Sequence, residues 1–142
     1  ALYGGVGHEK LLPVLSVKTR VTSVRNVYIG EPVGYGLDSI ADNDMRVAAL
    51  AVGYADGLPR KLSDGIGTVL INGSRAPIIG KICMDQTIVN VSGIDVKQGD
   101  IAVIIGNSDC KQITAQDIAR LTDTIPNDIL SGLGSRVIRI IK

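Results

Sequence analysis

Short runs of β-branched and small apolar residues, each cut off within a few positions by Gly, Asn or Asp, leave this chain room for strands and very little for long helices. The runs are Leu15–Val21, Val47–Val52, Thr68–Ile71, Ala76–Ile79, Thr87–Val91, Ile101–Ile105 and Val137–Ile141. Asn72-Gly73 stands between the third and the fourth. A two-residue hairpin turn needs positive φ, which Asn-Gly tolerates, so this pair predicts a tight hairpin. Gly99-Asp100 before Ile101–Ile105 and Gly106-Asn107 after it predict further turns. One segment has a helical period: Thr114 stands three residues before Asp117 in an approximate capping box, and Ile118 and Leu121 then fall on one face. The expectation is a mainly β domain, a small barrel or Greek-key-like fold with one short helix.

The core has to be built without large rings. The 142 residues include four Tyr (Tyr3, Tyr28, Tyr35, Tyr54) and neither Trp nor Phe, so Val, Ile, Leu and Ala must fill the interior. With 45% apolar residues against 20% charged, there is enough of them to do so. A net charge of +1 offers no electrostatic footprint for nucleic acid or an anionic membrane. Cys83 and Cys110, with His8 as the one histidine, match neither a zinc site nor a disulfide framework, and the expected compartment is a reducing cytoplasm. Val47–Val52 and Ile101–Ile105, the longest apolar runs, are too short to span a bilayer. Opening on Ala1-Leu2-Tyr3-Gly4 in mid-pattern, the chain is expected to be a domain of a longer polypeptide, with residues 1–12 as a linker and 13–142 as the folded unit.

Two tyrosines stand among glycines. Gly34-Tyr35-Gly36 and Gly53-Tyr54-Ala55-Asp56-Gly57 each place a phenol where backbone can approach closely or turn sharply. Read from residues alone, they either face a ligand or pack their rings on a core that has no other aromatics, and composition favours the second. Gly80-Lys81-Ile82-Cys83-Met84-Asp85-Gln86 sets a thiol, a thioether and a carboxylate in succession, with Asp85 or a backbone amide available to a substrate. As a nucleophile Cys83 would need a base, and His8 lies in the linker. Pro126-Asn127-Asp128 reads as a plain turn after the helix.

Taken in order, Ala1-Leu2-Tyr3-Gly4, Val33-Gly34-Tyr35-Gly36, Val52-Gly53-Tyr54-Ala55-Asp56-Gly57 with Pro59-Arg60, Ile79-Gly80-Lys81-Ile82-Cys83-Met84-Asp85-Gln86 and Arg136-Val137-Ile138-Arg139 resemble the carboxy-terminal domain of alanine racemases. The resemblance covers nearly the whole chain. It implies a missing amino-terminal (β/α)8 barrel whose Lys holds pyridoxal phosphate, and a homodimer in which the β domain of one subunit completes the site of the other. It also implies roles. Tyr35 would be the base on one face of the substrate Cα and the barrel's Lys the base on the opposite face, because racemisation must return the proton from the side it did not leave. With an ordinary phenol pKa of about 10, Tyr35 would need tuning by cationic or hydrogen-bonding neighbours. The Met84 amide would contact the substrate carboxylate, with Asp85 beside the site and Tyr54 lining the way in. Lys81 replaces the Arg usual there, a point charge in place of a planar fork.

At Thr124-Ile125-Pro126-Asn127-Asp128-Ile129 the chain departs from the family, which carries a Tyr at the place of Asn127. The resemblance then implies a wider pocket presenting an amide, suited to a hydroxyl. In this feature the chain is similar to the vancomycin-resistance serine racemases, membrane-anchored relatives with the module facing the cytoplasm. The expected activity is racemisation of L-Ser and L-Ala for peptidoglycan precursors. An ordinary biosynthetic alanine racemase is the alternative, and a β module serving only dimerisation is a third. No Lys here matches the family's cofactor-binding Lys, so the isolated chain is expected to be inactive, and no nucleic acid or metal partner is expected.

Overall fold

The central strand, β1 (Val17–Val27), turns Val17, Val21 and Val27 inward and serves two neighbours in succession. Its first half pairs antiparallel with β8 (Ile101–Ser108) and its second half with β4 (Met45–Leu50). Register shifts at Val17/Lys18 and at Val21/Ser23 bend it between the two. Around it lie β5 (Thr68–Ile71), β6 (Ser74–Pro77) and β7 (Thr87–Asn90), giving the strand order β6-β5-β8-β1-β4-β7. The sheet curls until its outer strands meet at the Ile78–Val89 bridge, where the Ile79 N–H donates to the Ile88 carbonyl at 2.9 Å. The mainly β, barrel-like expectation therefore holds, with the seam joined by one bridge rather than a full ladder. These statements rest on a computed structural model that describes residues 13–34, 36 and 39–141. The linker assigned to residues 1–12, with Tyr3 and His8, lies outside the described residues, as does Tyr35.

Two apolar clusters fill the interior. The larger gathers Leu50, Leu70, Ile71, Ile78, Ile82, Val89 and Val91, all fully buried, under the sheet. The smaller, Val27, Val33, Ala41 and Val47, lies beneath a hairpin of two short strands, β2 (Pro32–Val33) and β3 (Ser39–Ile40), that sequence reasoning missed. Strands of two residues carry no readable period, so their pattern could not be seen in the sequence. Asn72-Gly73 makes the predicted tight turn, both residues at positive φ (46° and 71°).

Other expectations are corrected. Gly106-Asn107 lies within β8, and the chain turns at Asp109 and Cys110 into β9 (Lys111–Ile113). Val137–Ile141 forms no strand. Arg139 donates to the Leu133 carbonyl at 2.9 Å and curls the segment back on itself, leaving Ile138, Ile140 and Ile141 exposed. Among the described residues there are two α-helices rather than one. The first, α1 (Ala115–Thr122), has the expected Thr114/Asp117 capping box, but its buried face is Ala115, Ile118, Ala119 and Thr122, and Leu121 is exposed. The second, α2 (Pro126–Ser131), begins at the supposed plain turn: Pro126 sits in the first turn, where a missing N–H costs no hydrogen bond. None of the helices among the described residues is long and apolar enough to cross a membrane.

Burial pushes the Asp117 carboxyl up, but hydrogen bonds from the Thr114 hydroxyl and N–H, with Arg120 and Arg75 nearby, outweigh it and hold the group below its ordinary value. A carboxylate with a depressed folded-state pKa contributes stability that is present above its unfolded value and lost as pH falls through the folded one. Asp117→Asn should therefore lower Tm at neutral pH and flatten its fall toward about pH 3, as scanning calorimetry across that range would show.

Candidate active site

Segment 80–86 runs between two glycine-bearing turns and touches both through bare backbone. At its start Gly80 is buried at φ +63°, and a Cβ there would lie 2.7 Å from the Val33 carbonyl oxygen. Facing it, a Cβ on Gly34 would come to 3.0 Å from the Lys81 nitrogen. At the other end a Cβ on Gly53 would lie 2.2 Å from the Met84 oxygen and 2.3 Å from the Cys83 oxygen. Side chains at these positions would push the backbones apart. The Tyr54 N–H donates to the Cys83 carbonyl at 3.0 Å and the Ala55 N–H to the Met84 carbonyl at 3.1 Å. Both Gly-Tyr turns are thus docked on one stretch, the first through Gly34 and the second through Gly53.

The same stretch is held from behind. Ser63, buried, donates its hydroxyl to the Arg60 carbonyl at 2.6 Å and accepts the Ile82 N–H at 3.0 Å. The Thr87 hydroxyl donates to the Val52 carbonyl at 2.7 Å inside the core, fixing the strand that leads into Gly53. Beyond Ile82 the Cys83 N–H donates to the Gln86 carbonyl at 2.9 Å, which folds Met84 and Asp85 into the tip of a turn. Among the described residues the Met84 N–H has no acceptor. Met84 and Tyr54, 48% and 46% exposed, border a depression of about 430 Å³ that Arg60 and Cys83 complete.

Of the residues singled out from the sequence, Met84 and Tyr54 come together here. Asp85 lies beside them but is paired with Arg136. Asn127 is exposed on the first turn of α2 and does not line this depression. Tyr35 is outside the described residues; its neighbours Gly34 and Gly36 have φ of +85° and +86°.

Sequence reasoning missed the ion pairs. Asp56 accepts the Gly53 N–H at 2.9 Å through one carboxylate oxygen and meets the Arg136 guanidinium at 3.3 Å through the other. A carboxylate three residues after a turn-opening glycine is a legible signal for the first contact. The second spans 80 positions and has none. The Asp85 hydrogen bond first, and the Asp56 charge second, hold the Arg136 guanidinium still further above its ordinary pKa. No lysine among the described residues lines the depression, so these residues alone do not fit pyridoxal phosphate as a covalent site. No group of three or more His, Cys, Asp or Glu among them could hold a metal ion.

The family described as "Alanine racemase, C-terminal domain" matches residues 14–141. The chain belongs to this family. Among curated proteins, the alanine racemase of Deinococcus radiodurans is 46% identical over 129 residues, 91% of this chain and 36% of that protein. That of Halothermothrix orenii is 44% identical over 135 residues, 94% of this chain and 35% of that protein. Among solved structures, alanine racemase from Bartonella henselae with covalently bound pyridoxal phosphate superposes with a TM-score of 0.87 at 38% identity, covering 99% of this chain and 39% of that one. The Bacillus anthracis alanine racemase with bound L-Ala-P gives a TM-score of 0.87 at 32% identity, covering 96% of this chain and 36% of that one. The chain spans about a third of the length of the relatives it matches.

Gly53→Ala should cost about 3 kcal/mol or more of stability, because its Cβ meets backbone on the facing segment. Gly93→Ala, whose Cβ would enter open space, should cost only about 1 kcal/mol for its positive φ. Urea unfolding of the two variants checks the difference.

Proposed function

We propose that this domain belongs to a pyridoxal-phosphate-dependent alanine racemase of the ordinary biosynthetic kind, a cytoplasmic homodimer supplying D-alanine for peptidoglycan precursors. The observation that carries the reading is the docking of both Gly-Tyr turns on the Gly80–Met84 stretch, which brings the backbone beside Tyr35, the Tyr54 ring and the Met84 amide to one structural unit. The alanine racemases named above support alanine as the substrate. A serine-type specificity would rest on Asn127 alone, and that residue lies outside the depression.

In this reading Met84 offers its unengaged N–H to the substrate carboxylate, a contact that depends on backbone position and on no particular side chain. Tyr54 and Arg60 narrow the approach and favour an anionic group. Tyr35 holds and returns a proton at its phenolic oxygen on one face of Cα. Pyridoxal phosphate, held by a lysine elsewhere in the longer polypeptide, supplies when bound the electron sink that makes the Cα proton removable. The opposite face is served by a group outside this chain, which is why the domain acts only as part of a dimeric whole.

The test is kcat/KM of the full-length protein for L-alanine and L-serine. Alanine should be preferred, and Asn127→Tyr should shift that preference little. A clear preference for serine that Asn127→Tyr reverses would overturn the alanine reading and restore the serine one. Tyr35→Phe should lower kcat by about 100-fold or more, since it removes a positioned proton carrier.

A further inference from the structure

The Met84 turn is held on its inner side by backbone contacts, but its outer side depends on one side chain. Arg136 follows the loop after α2 and reaches two carboxylates on two different turns: Nε meets Asp56 at 3.3 Å, and Nη2 donates to Asp85. Asp56 is only 16% exposed and already caps Gly53, so that carboxylate is fixed with the Tyr54 turn. Asp85 is 57% exposed and has no other side-chain partner among the described residues. Its neighbour Met84 carries the amide that has no acceptor among the described residues. The base of the Arg136 loop is itself seated on the same turn, since a Cβ on Gly57 would lie 2.4 Å from the Gly132 carbonyl oxygen.

We propose that Arg136 is a positioning residue for the substrate carboxylate: by clamping Asp85 to Asp56, it sets the Met84 peptide relative to the Tyr54 turn. The inference rests on the racemase reading above and names a determinant within that site. A planar guanidinium suits the task, because one rigid fork engages both acids at once, whereas a lysine ammonium is a single point charge on a flexible stem. Without the clamp, the Met84–Asp85 tip keeps only its backbone hydrogen bonds and wanders. The loss falls on carboxylate binding, while proton transfer at Cα, which Tyr35 serves, is left in place.

The test is steady-state racemisation of L-alanine by the full-length protein. Arg136→Gln should raise KM about tenfold with kcat changed less than about threefold. Asp85→Asn should do nearly the same, and the double variant should be no worse than the poorer single, because both remove one contact. Arg136→Lys should recover part of the loss. An unchanged KM, a fall in kcat alone, or additive losses in the double variant would overturn the proposal. A merely structural role would lower the active fraction, and so kcat, at constant KM. If Arg136→Gln does not fold, Asp85→Asn and Arg136→Lys carry the same KM test. A wild-type protein that does not racemise alanine would instead overturn the racemase reading, before any variant is compared.

Discussion

Backbone meeting backbone without an intervening side chain is the constraint on which this site depends. Gly34 and Gly80 close one contact, and Gly53 against Cys83 and Met84 closes the other. Each contact replaces a side-chain layer with direct peptide packing, so the relative position of the three segments has little freedom left. The main-chain bonds from Tyr54 and Ala55 to the Cys83 and Met84 carbonyls then fix direction as well as distance. A backbone amide used as a ligand needs this kind of support, because no rotamer can correct a misplaced peptide.

The barrel-like sheet provides the rigid base for that arrangement. Its larger cluster buries Ile78 and Ile82 on either side of Gly80, anchoring the segment at both flanks. The smaller cluster holds Val33, the residue just before Gly34, in place beneath the β2–β3 hairpin. Charge finishes what packing begins: Asp56 and Asp85, which would repel each other, share the Arg136 guanidinium. Packing therefore fixes the inner side of the site and ion pairing its outer side.

How far this was legible in the sequence differs with scale. Strands of four or more residues with a turn pair beside them, such as Thr68–Ile71 and Asn72-Gly73, could be read directly, because period and turn chemistry are local. The two-residue strands β2 and β3 could not. Val137–Ile141 looked like a strand because its residues are β-formers, but strand formation requires a partner, and Arg139 turns the segment elsewhere. Leu121 satisfied a helical spacing yet faces outward, since i, i+3, i+4, i+7 from Ala115 defines the buried stripe one position away. Tyr54 and Met84 were singled out through motif order, and they border one depression. Their meeting depends on Gly53, whose requirement shows only once the facing carbonyls are in place. The Arg136 clamp joins residues 51 and 80 positions apart, a relation no local pattern encodes. Asn127, singled out as a departure from a motif, stands exposed on the first turn of α2, away from the depression.

The racemase reading proposed above gives Tyr35 one face of the substrate and another group the opposite face. Exchange of the alanine Cα hydrogen with solvent deuterium tests it most directly, followed by NMR in the full-length protein and its Tyr35→Phe variant, starting separately from L- and D-alanine. The account predicts that the variant keeps exchange from one enantiomer and loses it from the other. Exchange lost equally from both, or retained from both at the wild-type rate, would contradict it.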